Sequence, residues 1–148
     1  LHNNRHSFPT RRSSDLDAQG ATFGTLSDLL GEVAGSVAAF FTDIGAAVDT
    51  TTVLVMSEFG RRVEQNGNGG TDHGHGGVAM VLGGGVKGGV KGAWSGLAPA
   101  ALDNGDVPGS NDWRNLFGEL LVKRFALTTS QASSVLGGWT VTPIGVMV

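Results

Sequence analysis

The sequence predicts an α/β fold, and three observations predict it. Residues 22–47 carry Leu26, Leu29, Leu30, Val33, Val37, Phe40, Phe41 and Ile44 at steps of three and four, the pattern of a helix with one apolar face. Residues 51–56 (Thr-Thr-Val-Leu-Val-Met) are β-rich and apolar without alternation. A strand buried on both faces reads this way, as in a parallel sheet covered by helices. Residues 78–82 form a second short apolar stretch of the same kind.

The remaining elements follow in order. Gly24, Gly31 and Gly35 weaken the first helix by about 1 kcal/mol each relative to alanine, which suits close packing against a neighbour. That helix is expected to cover the strand at Val53. Residues 57–77 read as one loop, and a loop that long in a compact domain is usually functional. Residues 83–94 are glycine-rich, with Lys87 and Lys91 suited to an exposed edge hairpin. Residues 96–109 read as loop. Ser110, Asn111 or Asp112 can cap a helix over residues 113–125. Trp113, Leu116, Phe117, Leu120 and Leu121 form its inner stripe, and Lys123 and Arg124 suit its C-terminal dipole. A short helix over residues 130–136 stops at Gly137-Gly138, and the apolar tail to Val148 packs.

Composition narrows the function. The chain has 148 residues, a net charge of −3 and no cysteine. Mild acidity argues against nucleic acid or an anionic membrane as partner. Without cysteine there is no disulfide, thiolate ligand or thiol nucleophile. No apolar run approaches the ~20 residues that span a bilayer.

Residues 6–16 are the in-frame translation of a common sequencing-adapter primer. Residues 1–16 are therefore expected to be an assembly artefact, and residues 17–148 the natural segment. All 25 glycines lie in the latter. Arg11-Arg12 does not open an export signal, because no apolar segment follows.

Chemistry concentrates in residues 57–77. Glu58 follows directly on the predicted strand, the usual mouth of a site in open α/β sheets. Asp72, His73 and His75 put a carboxylate and two imidazoles within four residues, ligand types for zinc, manganese or iron. In an extended backbone His73 and His75 point one way and Asp72 the other. The alternative is a solvated glycine-rich turn with two surface histidines. Arg61 and Arg62 are either surface charges or an anion site, where a guanidinium fork suits phosphate or sulfate. The glycine run from Gly83 lacks the Gly-Lys-Ser/Thr ending of a phosphate loop.

Val53 to Arg61 (Val-Leu-Val-Met-Ser-Glu-Phe-Gly-Arg), Gly70-Thr-Asp-His-Gly74, the glycine run from Gly83, Trp94-Ser-Gly-Leu97 and Asn111-Asp-Trp-Arg114 together resemble the domain of unknown function 1501 family. The resemblance runs from Asp17 to the C-terminus. That family is grouped with the alkaline phosphatase and sulfatase superfamily. The resemblance implies the C-terminal part of an alkaline-phosphatase-like, mostly parallel sheet flanked by helices. It implies a metal-dependent hydrolase of phosphate or sulfate esters, with a divalent metal, zinc first, and a small anionic ester as substrate. It also implies an exported bacterial parent, periplasmic or extracellular. Glu58 and His73 match metal-binding positions, Asp72 and His75 are further candidate ligands, and Arg61 would assist the anion. Phe59 stands where the superfamily has a metal-binding histidine, which puts a second ion in doubt. The nucleophile and an Asp-Thr-His motif are expected upstream, where the adapter sequence stands, and Asp15 is not that aspartate. The chain alone is expected to be inactive. The alternative is an exported binding or structural protein that keeps the fold without the reaction.

Overall fold

The computed structural model describes residues 25–148. The expected artefact at residues 1–16 and the helix start at Thr22 lie outside them.

The first helix, α1 (Thr25–Ile44), continues into a 3-10 turn at Gly45–Thr50. Strand β1 (Thr52–Val55) follows, then β2 (Gly60–Gln65), β3 (Thr71–Gly74) and β4 (Met80–Gly83). A 3-10 turn at Pro99–Ala101 precedes α2 (Trp113–Phe125) and α3 (Thr129–Val135).

The expected parallel sheet is not what forms. β1 pairs antiparallel with β4, Val53 opposite Leu82 and Leu54 opposite Val81. β2 and β3 make a separate antiparallel pair. Among the described residues there are two two-stranded sheets and no parallel ladder, so the alkaline-phosphatase-like architecture is overturned. The physical reason is connectivity. A parallel neighbour needs a crossover, usually helical, whereas residues 56–79 fold back as a hairpin. A continuous apolar run reports burial, not strand direction, and β1 is only half-buried along its length.

The long loop expected at residues 57–77 is also ordered, as the β2–β3 hairpin. Its turn is built by Asn66. The Asn66 side-chain oxygen accepts the backbone N–H groups of Asn68 and Gly70, both at 3.0 Å. Such Asx geometry replaces backbone pairing at a tight reversal. The edge hairpin expected after Gly83 is absent; Val86 instead bridges to Met147 in the tail.

The core is small. Leu116 of α2 meets Val146 and Met147 of the tail, with Leu54, Val81, Val86, Leu120 and Ile144 packed around them. Glu119, at 2% exposure, holds the tail. Its Oε2 accepts the backbone N–H groups of Ile144 and Gly145, and its Oε1 that of Met147, each at 2.8 Å. Trp113, expected inside, is 53% exposed and meets Phe117 edge-on at 5.4 Å.

α1 does not cover β1. No residue from Leu26 to Ile44 is buried, and Leu30, Val33 and Phe40 are exposed. By length and composition alone the helical stretch Leu26–Thr50, with mean hydropathy 1.3, could cross a membrane.

Candidate functional site

Residues 57–77 reach the surface at one end of the β1–β4 pair, where an open cleft of about 1120 Å³ lies between that pair, the glycine-rich segment after it and the start of α2. Glu58, Phe59, His75 and Asp112 all line it. How they arrive there follows from local backbone chemistry.

The β2–β3 register is irregular. Arg61 lies opposite His73, yet Gln65 lies opposite Thr71, so β2 carries extra residues between them. Bulges re-aim side chains and release backbone groups from the ladder. Here the released groups take up the loop before α2. Val63 N–H donates to the Gly105 carbonyl at 3.0 Å, and Val107 N–H to that of Arg61 at 3.2 Å. Gly76 N–H donates to the Val107 carbonyl at 2.6 Å. Arg62 closes the corner, its Nη2 donating to the Asn104 carbonyl at 2.9 Å, with Asp106 3.8 Å from its Nε.

This docking carries Asp103 to His75. Asp103 Oδ2 lies 3.4 Å from His75 Nδ1. Both side chains are mostly exposed, 60% and 62%, so the contact orients the ring more than it stabilises the fold. The Nε2 edge of the ring faces Gly109. Two glycines make the arrangement possible. A Cβ at Gly60 would collide with the Gly76 carbonyl, and one at Gly109 would run into the His75 ring.

Asp112 is already occupied. It caps α2 by accepting Arg114 N–H at 2.9 Å, and it accepts from Arg114 Nε at 2.8 Å and Nη2 at 2.6 Å. These hydrogen bonds lower its pKa from 3.8 to about 2 and raise that of Arg114. The guanidinium also lies 3.5 Å from the Trp139 ring centroid, a cation–π contact.

The remaining candidates lie elsewhere on the hairpin. The His73 ring stacks on Phe59, centroids 4.0 Å apart. Arg61 sits over the other part of that aromatic pair, 5.4 Å from the Phe59 centroid, and donates Nη1 to the Thr71 carbonyl at 2.8 Å. Asp72 accepts Asn66 Nδ2 at 3.0 Å. Glu58 therefore shares its cleft with His75, and neither His73 nor Asp72 lines it. Among the described residues no three of His, Asp and Glu come together to hold a metal ion. The residues present do not by themselves fit a metal centre. Sequence reasoning missed Asp103, which is separated from His75 by 28 positions; nothing in the local pattern marks it.

The site is an open cleft whose lining includes the carboxylate of Glu58 and the imidazole of His75. The chain belongs to the family described as Protein of unknown function (DUF1501), which matches residues 13–121. The match takes in α1, both strand pairs and most of α2, and stops short of α3 and the tail. No curated protein and no solved structure matches the chain.

Proposed function

We propose that this chain forms one wall of a metal-dependent site that hydrolyses phosphate or sulfate esters, and that the remaining ligands come from outside the described residues. The observation that supports this most is that Glu58 and His75 line the same open cleft. A zinc ion needs three or four such donors, so a wall with two is a part of a site. Bound metal would polarise the ester and activate its attacker. This chain's own share is narrower. Glu58 and His75 line the cleft, and Asp103 beside Nδ1 orients the imidazole. By this reading the 148-residue chain turns over no ester alone.

A second reading, a binding or structural protein without a reaction, is favoured by the packing of His73 on Phe59. Zinc content of an intact homologue separates the two. With the hydrolase reading, metal is bound and is lost on replacing the residues equivalent to Glu58 and His75 by alanine, along with hydrolysis of an aryl phosphate or aryl sulfate. An intact homologue that binds no metal and leaves both esters untouched sinks the hydrolase reading.

A further inference from the structure

We infer that Asn68 is a site of spontaneous deamidation, selected by the fold from three Asn-Gly steps. Those steps are Asn66-Gly67, Asn68-Gly69 and Asn104-Gly105. The reaction is intramolecular. The backbone nitrogen of the following glycine attacks the asparagine Cγ, a C–N bond forms, the Cγ–Nδ2 bond breaks, and ammonia leaves with the proton from that nitrogen. Water then opens the cyclic imide at either carbonyl, leaving aspartate or isoaspartate. Glycine favours the attack because no Cβ shields its nitrogen and its backbone turns freely.

The fold restrains two of the three asparagines, Asn66 through its side chain and Asn104 through its backbone alone. Asn66 has both side-chain atoms engaged, Oδ1 by the N–H groups of Asn68 and Gly70 and Nδ2 by Asp72. Its own N–H donates to the Gly70 carbonyl at 2.8 Å. Asn104 is held in a left-handed turn at φ 51°. Arg62 grips its carbonyl, and Asp103 and Asp106 pair across the turn at 3.0 and 2.9 Å. Asn68 is exposed at the hairpin tip, and its side chain makes no hydrogen bond to a described residue. Gly69 nitrogen donates to the Asn66 carbonyl at a long 3.2 Å, the one bond the attack has to open. Conversion puts a new carboxylate on the turn that holds Asp72 through Asn66.

The test compares folded chain with the same chain in denaturant, both held at mildly alkaline pH. Tandem mass spectrometry of the digested samples reads each position by the exchange of NH2 for OH. Folding is expected to slow Asn66 and Asn104 many-fold and to leave Asn68 within a few-fold of its denatured rate. Asn68 slowed as much as the other two, or either of them overtaking it in the folded chain, overturns the inference.

Discussion

Glu119 is the residue on which the tail depends, and nothing in its sequence neighbourhood shows it. A helical glutamate near Lys123 reads as a surface charge. In the fold it is buried and accepts three backbone N–H groups from residues 144–147. Removing it strands those donors at a cost of about 1–3 kcal/mol each. Glu119→Ala should therefore lower stability by at least about 3 kcal/mol in urea titration, and Glu119→Gln by less. A change within the scatter of surface substitutions would contradict the role. Asp112 is the opposite case, because its cap was legible from the Ser-Asn-Asp run. Its carboxyl is held below its ordinary 3.8 by Arg114. A depressed folded pKa means the stabilisation is complete above 3.8 and fades as pH falls toward about 2. Asp112→Asn should flatten the stability–pH curve in that window, as read by urea titration at each pH, and leave the slope of the curve near neutral pH unchanged. At His75, Gly109→Ala should displace the ring, read as a changed imidazole shift by NMR, while the rest of the spectrum is preserved.

At the scale of elements, helices were more legible than strands. α2 has the bounds its pattern predicts, and α3 lies within a residue of them. Capping residues and a glycine stop carry those boundaries locally. The capping box of α3, Thr128 with Gln131, is worth about 1 kcal/mol, so Thr128→Ala should lower stability by roughly that amount. Strand partners are set by distant residues, and the apolar runs at β1 and β4 carry no record of direction. The β2–β3 hairpin was hidden for a different reason. Its strands, Gly-Arg-Arg-Val-Glu-Gln and Thr-Asp-His-Gly, have little apolar alternation. They are held by backbone pairing and by the loop at residues 103–107 rather than by a buried face. The candidate ligands were legible as residue types, but their grouping was not. Asp72 bonds Asn66 and His73 stacks on Phe59, while His75, expected to point with His73, lines the cleft that His73 does not.

At the scale of the whole molecule, the chain has more apolar surface than its core can cover. Only Leu116, Ala132, Val146 and Met147 are buried hydrophobics among the described residues, whereas Leu30, Val33, Phe40, Val78 and Val90 are exposed. Helices gain most of their stability from packing an apolar face, and α1 has packed none of its residues away. Polar replacement of Leu30 and Val33 should therefore raise solubility with little change in unfolding midpoint, measured by sedimentation and thermal melting. The proposed hydrolytic function belongs to this scale too, since the described residues supply two donors to a cleft and no complete set. Its most direct test is anomalous diffraction from zinc-soaked crystals of an intact homologue. The account predicts a peak between the residues equivalent to Glu58 and His75. No peak there, or one held by the equivalents of Asp72 and His73 instead, would contradict it.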